Sequence, residues 1–304
     1  MRIALLSTMS CKCGVAEYTR YLGKALTDNG VEVYYLANII SGKGNQDISA
    51  YTASEDPLNV YRIFSVAGWS GETFFEIPQS IKDINFDVVH VQYQSFLYDK
   101  SWFPECLREL RKMNTKTVFT LHDSNVVGNA LIMADGVVFH SHEMKDAVQT
   151  SAKSMLIPSG MPFKKPKLMS FGLGRSNSSM VRDVCNELDL DFEELHWSNW
   201  LTQEKLIEKL KTADGIVLYY PPDNAKVCSS SVKVALSTYR PVIVSDTTWF
   251  SDLDDNFVTK CPYGDKPRLR TTLNSIFYKR DFFKNLGWDS IAKRHVKFYE
   301  ELNQ

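Results

Sequence analysis

The chain has 304 residues, of which 44% are hydrophobic and 23% are charged, and its formal net charge is −1. This composition is typical of a folded globular protein, and the length is sufficient for two domains. A net charge so close to zero excludes recruitment of nucleic acid or anionic lipid by an overall positive field, although it is compatible with a local basic face.

The cysteines and the apolar runs bear on the location of the protein. The six cysteines are scattered and form no C-x-x-C pair. The apolar run at the N-terminus is too short for a signal peptide, and no run reaches the roughly 18 apolar residues of a membrane span. A cytoplasmic protein with free thiols and no transmembrane segment is therefore expected. Cys11 and Cys13 supply half of a metal site, but no second cluster completes it, so no metal is expected.

The first 37 residues predict a βαβ unit. An apolar strand pattern at 2–7 precedes a turn with Gly14, and the next strand pattern occupies 31–37. Between the strands, five apolar residues recur at helical spacing: Val15, Tyr18, Leu22, Ala25 and Leu26. Asn29 and Gly30 are a typical helix end. The succession of strand, turn, helix and strand predicts parallel pairing.

Alternating patterns continue through the first half of the chain. After a loose polar connection at 41–58, helical patterns alternate with short apolar runs, which lie at 61–66, 86–93, 116–123, 134–141 and 155–162. These runs predict a doubly wound sheet rather than a barrel of evenly spaced units. Glycine, proline and a lysine pair interrupt the pattern at 158–166, where we expect a domain boundary.

The second half predicts a smaller domain of the same class. A new strand–helix series begins near residue 167 and ends before an amphipathic helical pattern. The domains are therefore expected at 1–160 and 161–287, followed by a C-terminal helix within 288–304.

The most informative stretch is 217–246. Two apolar strand runs enclose a polar loop and a helical pattern. Three serines fall where this helix should begin: Ser229, Ser230 and Ser231. A serine hydroxyl caps a helix by accepting a bond from an unpaired backbone N–H, and free N–H groups attract phosphate. The pattern is compatible with an anion cradle and with an ordinary capped helix.

Candidate site residues lie at the carboxyl ends of the predicted strands, where open parallel sheets bind ligands. In the first half they are Gly14, Glu17, Gln92, Tyr93, His122, Asp123 and His140. In the second half they are Gly174, Arg175, Lys226, the three serines and Asp246. Structural roles remain open for several of them, because Asp123 can cap a helix and Glu17 can complement a helix dipole. His90 lies within an apolar run and is interpreted as a core residue.

Four motifs resemble those of GT-B glycosyltransferases of family 4. They are G-V-A-E-Y-T-R-Y-L at 14–22, D-V-V-H-V-Q-Y at 87–93, T-L-H-D at 120–123 and S-S-S-V-K-V-A-L-S-T-Y-R-P-V-I-V-S-D at 229–246. The region of the last motif departs from the family pattern, because the two glutamates of the family fall on Val227 and Val234. The donor must therefore be bound differently, or be a different donor.

The resemblance implies a GT-B fold, in which two Rossmann-like doubly wound parallel-sheet domains face a central cleft. The first domain would serve the acceptor and the second the nucleotide sugar, and the C-terminal helix would pack back on the first domain. The implied enzyme is a retaining, metal-independent glycosyltransferase. It would move a hexose or pentose from a nucleotide-diphosphate sugar to a saccharide or lipid-linked saccharide, without a cofactor. His122 would contact the donor sugar, and Arg175 and Lys226 would contact the diphosphate.

Two other functions remain open. Basic clusters in the C-terminal third (K-P-R-L-R, Y-K-R and A-K-R-H-V-K) are compatible with glycosylation of hydroxymethylated bases in DNA, although the near-neutral chain argues against tight DNA binding. The two missing glutamates are compatible with a catalytically silent GT-B protein that only binds. A nicotinamide-dependent enzyme is disfavoured, because no G-x-G-x-x-G follows the first strand.

Overall fold

In a computed structural model, the described residues are 1–11, 13–39, 57, 59–66, 75–98, 102–125, 128–172, 178–196, 201–223 and 229–304. The chain divides into two compact units. The N-terminal unit comprises Met1–Phe163 together with Lys284–Gln304, and the C-terminal unit comprises Lys164–Phe283. The first change of unit falls inside the segment 158–166, where the sequence predicts a boundary.

Strands and helices alternate along the described residues. The strands are β1 (Arg2–Ser7), β2 (Glu32–Asn38), β3 (Val60–Phe64), β4 (Val88–Tyr93), β5 (Lys116–Leu121), β6 (Gly136–Phe139), β7 (Lys153–Leu156), β8 (Lys167–Phe171), β9 (Asp191–Leu195), β10 (Gly215–Leu218), β11 (Val242–Asp246) and β12 (Thr259–Pro262). The helices are α1 (Gly14–Asp28), α2 (Gln79–Lys82), α3 (Phe103–Lys112), α4 (His142–Ala147), α5 (Ser178–Glu187), α6 (Gln203–Leu210), α7 (Ser231–Leu236), α8 (Lys266–Ile276), α9 (Arg280–Asn285) and α10 (Trp288–Leu302). Short 3-10 turns occupy Gly128–Met133 and Thr248–Phe250.

Both sheets consist of parallel pairs in the described residues. The strand order is β3-β2-β1-β4-β5-β6-β7 in the N-terminal unit and β12-β11-β10-β8-β9 in the C-terminal unit. Counted within its own unit, the second order is 2-1-3-4-5, the other common doubly wound arrangement. The predicted fold class, two doubly wound parallel sheets of the GT-B type, is thus confirmed for each unit taken by itself. None of the helices in the described part of the chain is long and apolar enough to cross a membrane.

The strand order reverses once in each sheet, and open parallel sheets bind their ligands at such a reversal. In the N-terminal sheet it lies between β1 and β4, and in the C-terminal sheet between β8 and β10. Connections leave these neighbouring strands in opposite directions, so a crevice opens beyond their carboxyl ends. The fold therefore directs attention to the segments that follow these four strands.

Helix α1 forms as its pattern predicts. The five apolar residues that recur at helical spacing are all buried, and Gly30 ends the helix with a φ of 80°. The C-terminal helix α10 buries Ile291, Phe298 and Tyr299 in the same apolar cluster as Tyr18 and Leu22 of α1. The last helix of the chain is thus part of the core of the N-terminal unit.

Apolar side chains cover both faces of the N-terminal sheet, as expected for parallel strands. In β4, Val89, Val91 and Tyr93 belong to one cluster, and Val88 belongs to the cluster on the other face. Side chains alternate between faces along a strand, so His90 and Gln92 share the face of Val88. This face is covered by α1 and α10.

Candidate active site

Three strand ends and helix α1 bring three polar rings and one side-chain amide together in the N-terminal unit. Gln92 is the penultimate residue of β4, His122 follows β5 and His140 follows β6. The ring of Tyr18 lies with its centroid 4.8 Å from that of His122 and 5.3 Å from that of His140. The two imidazole centroids are 5.1 Å apart. We call Tyr18, Gln92, His122 and His140 the histidine cluster.

The parallel register explains why these side chains meet. Gln92 is the direct partner of Thr120 across the β4–β5 pair. His90 lies two residues before Gln92 and His122 two residues after Thr120, so the side-chain period of two places all four on one face. Strand register therefore accounts for the contact between Gln92 and His122.

A chain of hydrogen bonds runs inward from His122. Its Nε2 atom lies 3.1 Å from Oε1 of Gln92, whose Nε2 atom lies 3.2 Å from Nε2 of His90. The same atom of His90 is 2.7 Å from the Thr120 hydroxyl, and its Nδ1 atom is 2.6 Å from the Tyr299 hydroxyl. His90 is thus buried, as the sequence suggests, but it belongs to a polar network rather than to an apolar core.

The imidazoles of this region are uncharged at neutral pH. Burial lowers the pKa of His122 to about 3, and the neighbouring His140 lowers it further. Burial lowers the pKa of His90 as well, and it lowers the pKa of His140 against the opposing effect of the hydrogen bond to the Ile157 carbonyl. Neutral imidazoles can donate at one nitrogen and accept at the other. The cluster is therefore suited to hydrogen bonding rather than to charge neutralisation.

Tyr93 does not join the cluster. Its side chain is fully buried on the opposite face of β4, where its ring packs against Tyr98, Phe103 and Phe119. Its main-chain carbonyl accepts the N–H of His122 at 2.8 Å. The Tyr93 side chain thus lies on the face opposite the cluster, because adjacent residues of a strand point to opposite faces, and a role of Tyr93 in substrate binding stays a prediction.

Asp123 has a structural role in this structure. One carboxylate oxygen accepts bonds from the N–H and the hydroxyl of Ser95, and the other accepts the N–H of Asn125. The carboxylate therefore ties the segment after β4 to the segment after β5. These bonds, rather than the helix cap that the sequence suggests, engage the Asp123 carboxylate.

Gly14 and Glu17 lie in the first turn of α1. Gly14 is exposed, and a Cβ placed on it would meet no described atom within 4 Å, so the backbone there is open to a ligand. Glu17 forms an ion pair with Arg20 at 2.7 Å and is partly exposed. Its carboxylate is thus engaged along the helix, in line with the alternative of a first-turn acid.

In the C-terminal unit, hydrogen bonds to main-chain atoms hold the two described ends of the loop after β10. The hydroxyl of Ser245 accepts the N–H of Tyr220 at 3.0 Å and donates to the Tyr220 carbonyl at 2.7 Å. The indole N–H of Trp249 donates to the Pro221 carbonyl, and the N–H of Ser229 donates to the Trp249 carbonyl, both at 3.0 Å. The segment after β11 therefore fixes both ends of the predicted phosphate loop.

The three serines lie where a helix begins, but they do not cap it with their hydroxyls. Helix α7 starts at Ser231, and Ser230 occupies the cap position with φ −71° and ψ −21° and no side-chain bond. Ser229 is buried and its N–H is already used. In the described residues, the N–H groups of Ser230 and Ser231 donate to no acceptor. The available donors are thus these two backbone amides.

Gly172 follows β8 at the reversal point of the C-terminal sheet. Its φ is 140°, and a Cβ placed there would lie 2.5 Å from the hydroxyl oxygen of Tyr220, which donates to the Phe171 carbonyl at 3.1 Å. Only glycine fits both the backbone conformation and the space. The absence of a side chain at Gly172 thus lets the Tyr220 hydroxyl pack directly against the backbone at the end of β8.

The remaining residues singled out in the sequence are exposed, half-buried or outside the described residues. Asp246 ends β11 and is exposed. Val234, at the position of a family glutamate, is half-buried against the apolar core of the C-terminal unit. Gly174, Arg175, Lys226 and Val227 lie outside the described residues. Within the described part of the chain, no group of three or more His, Cys, Asp or Glu side chains could hold a metal ion.

The sequence patterns do not indicate Tyr18, His90 and Tyr299 as members of the site region. Apolar patterns place Tyr18 and His90 in the core, and no motif includes Tyr299. The alternation of faces along β4 could have linked His90 to Gln92. The contact between His90 and Tyr299 spans 209 positions of the chain, and no local pattern indicates it.

The chain matches one protein family and is similar to several solved structures. Residues 13–163 match the family model described as Glycosyltransferase Family 4. No curated protein matches the chain. Among solved structures, the chain is similar to sucrose-phosphate synthase from Thermosynechococcus elongatus, with 15% identity, 99% of each chain covered and a TM-score of 0.43.

Two further structures are similar over nearly all of both chains. Anabaena HepE in complex with UDP and glucose shares 10% identity, with 99% of this chain and 100% of that chain covered and a TM-score of 0.38. An alpha-glucosyltransferase in complex with UDP and a 13-mer DNA containing a central A:G mismatch shares 10% identity, with the same coverage and a TM-score of 0.43. Likenesses this distant identify no substrate.

Proposed function

Because the chain belongs to Glycosyltransferase Family 4, we propose that it transfers a sugar from a nucleotide-diphosphate donor to an acceptor hydroxyl. The observation that carries this proposal is the state of His122. Its imidazole is neutral, it is fixed through Nε2, and its Nδ1 atom has no hydrogen-bond partner in the described residues. It follows β5, the strand next to the reversal point, where ligands bind in open parallel sheets. Nδ1 is therefore free to accept a hydroxyl of the sugar.

The reaction is proposed to proceed with retention and without a metal ion. The bond between the anomeric carbon and the phosphate oxygen breaks, and a bond from that carbon to the acceptor oxygen forms on the same face. The proton of the acceptor hydroxyl passes to the departing phosphate. No protein nucleophile is required, so the protein contributes by positioning the sugar and by stabilising the leaving diphosphate.

The diphosphate is proposed to bind the C-terminal unit. The N–H groups of Ser230 and Ser231 have no acceptor in the described residues, and the loop that carries them is anchored through Ser245 and Trp249. Backbone donors fixed before the reaction stabilise developing negative charge without reorganisation. Helix α7 has only six residues, so the amides themselves, rather than a long helix dipole, would supply this stabilisation. Arg175 and Lys226 remain the proposed cations.

A saccharide or lipid-linked saccharide is the proposed acceptor. The alternative acceptor, hydroxymethylated DNA, would require a basic face. In the cluster K-P-R-L-R, however, Lys266 and Arg270 pair with Glu187 at 2.9 and 3.8 Å. In the cluster A-K-R-H-V-K, Lys293 pairs with Asp289 at 2.8 Å. These pairs reduce the positive charge that is available to phosphates, and this observation favours the saccharide.

Thermal unfolding with a panel of nucleoside diphosphates and their sugars tests the donor class. A donor at 100 times its Kd adds about 2.7 kcal/mol to the free energy of unfolding, so the true donor should raise the melting temperature clearly. Turnover of that donor with saccharide, lipid-linked and hydroxymethylated-DNA acceptors then identifies the acceptor, and NMR of the product gives the anomeric configuration. Binding without transfer or hydrolysis would select the silent binding protein, and no binding at all would contradict the proposal.

A further inference from the structure

We infer that His90 and Tyr299 are positioning residues, which act through Gln92 to fix the tautomer and orientation of His122. This inference rests on the proposed role of His122 toward the sugar. It concerns four residues joined by consecutive hydrogen bonds of 2.6, 3.2 and 3.1 Å from the Tyr299 hydroxyl to the His122 ring. We call these four residues the relay.

The orientation of the Gln92 amide determines which nitrogen of His122 carries the proton. The Oε1 atom of Gln92 faces Nε2 of His122. A carbonyl oxygen only accepts, so the imidazole must donate from Nε2–H. In a neutral imidazole the other nitrogen then carries a lone pair. Nδ1 of His122 is therefore an acceptor, and it is complementary to a sugar hydroxyl.

His90 holds the amide in this orientation. The NH₂ group of Gln92 faces Nε2 of His90, and the Thr120 hydroxyl lies 2.7 Å from the same nitrogen. Two donors on one nitrogen require a lone pair there, so the proton of His90 is on Nδ1. Nδ1–H then donates to the oxygen of Tyr299. An inverted Gln92 amide would invert the tautomers of both histidines, so the orientation of this one amide couples the tautomer of His122 to that of His90.

The relay links the C-terminal helix to the site. Gln92 and His90 are fully buried in β4, and Tyr299 is fully buried in α10. A buried polar chain is costly unless each member is satisfied, and a satisfied chain is rigid. This chain ends at the partly exposed ring of His122, whose Nδ1 is unpaired in the described residues. A network that served only the stability of the core would be expected to end at a paired, buried group rather than at Nδ1 of His122.

Two removals break the relay at different points. Tyr299→Phe removes the acceptor for His90, and Gln92→Leu removes the amide between the two imidazoles. Gln92→Glu keeps an acceptor oxygen toward His122. Tyr219→Phe is the matched control, because the Tyr219 hydroxyl is buried in the C-terminal unit and donates to the Pro262 carbonyl at the same distance of 2.6 Å.

The direct readout is the tautomeric state of each imidazole, measured by NMR of protein labelled with ¹⁵N-histidine. The wild-type protein should show His122 protonated at Nε2 and His90 at Nδ1. Tyr299→Phe and Gln92→Leu should convert His122 to a mixture of tautomers and lower kcat at least tenfold, with a smaller change in KM. Gln92→Glu should retain more activity than Gln92→Leu, and Tyr219→Phe should leave tautomers and kcat unchanged.

The outcomes separate this inference from the proposed function. If the wild-type His122 carries its proton on Nδ1, or if its tautomer is the same in folded Tyr299→Phe and Gln92→Leu, the relay is overturned. If His122→Ala retains full turnover while the variants shift the tautomer, the relay stands and the role of His122 toward the sugar fails. Because the tautomer is measured on the resting protein, it does not depend on knowing the substrate.

Discussion

The two candidate ligand-binding edges, one in each unit, differ in the kind of atoms that they present. In the N-terminal unit, the edge consists of interlocked side chains, with His122 held by Gln92 and backed by Tyr18 and His140. In the C-terminal unit, the edge consists of main-chain atoms, namely the amides of Ser230 and Ser231. The first edge therefore depends on residue identity, and the second on backbone geometry.

This difference teaches which substitutions each edge tolerates. At the N-terminal edge, one altered side chain changes the hydrogen bonds of its neighbours. At the C-terminal edge, the side chains of Ser230 and Ser231 can change as long as the backbone keeps its conformation and its N–H groups. We therefore expect a loss of activity from side-chain substitutions in the N-terminal unit and from backbone changes in the C-terminal unit.

The largest effect is expected from removing one backbone donor at Ser230. Its φ of −71° is close to the value that a proline ring imposes. Ser230→Pro should therefore delete the N–H with little strain in φ, and the loss of a preorganised donor lowers kcat by about 10²- to 10³-fold. Ser230→Ala is the matched control and should change kcat less than about twofold, because the hydroxyl caps nothing. Steady-state turnover of the donor measures both, and equal losses would contradict a backbone site.

A smaller effect is expected at Gly172. Gly172→Ala forces a φ of 140° on a residue with a Cβ and brings that atom against the Tyr220 hydroxyl. Backbone strain of this kind costs about 1 to 3 kcal/mol, before the overlap is counted. Urea unfolding measures the loss. Gly30→Ala is the control, because its φ of 80° is also strained but a Cβ there meets no described atom within 4 Å. A loss no greater than that of Gly30→Ala would show that the contact with Tyr220 is unimportant.

The smallest of these effects concerns acid stability of the N-terminal unit. Burial lowers the pKa of His295 from its ordinary 6.5 to about 4, although its bond to the Ile291 carbonyl opposes this. Below pH 6.5 His295 binds a proton in the unfolded chain but stays neutral in the native chain, so the free energy of unfolding falls as the pH falls. From pH 7.5 to pH 5, one such histidine costs about 2 kcal/mol.

Urea unfolding of His295→Leu at both pH values tests this linkage. The variant should lose about 2 kcal/mol less than the wild-type protein over that interval. His142→Leu is the control at an exposed histidine. If His295→Leu and the wild-type protein lose stability equally, His295 is not a buried neutral imidazole.

The sequence predicts the elements well because their signals are local. Helix α1 follows from five apolar residues at helical spacing, and β4 and β5 follow from their apolar runs. The position of α7 also follows from the serines and the flanking strands. The bond that a serine cap should make does not form, because Ser230 already has helical backbone angles, whereas a capping serine adopts extended ones.

The site is only partly predictable, since its partners come from distant elements. Family motifs point to His122 and Gln92, and strand register brings them together. Tyr93 is adjacent to Gln92 in the same motif but lies on the other face, which a period of two indicates and motif matching ignores. The contribution of Tyr299 depends on how α10 packs, and this packing is decided by tertiary structure alone.

Turnover of the nucleotide-sugar donor by His122→Ala tests the central claim most directly. We expect kcat to fall about 100-fold, as for loss of one preorganised hydrogen bond, while the nucleoside diphosphate still stabilises the variant against thermal unfolding. His142→Ala, at an exposed histidine two residues beyond the cluster, should keep the wild-type kcat. Full turnover by a folded His122→Ala variant would contradict the account.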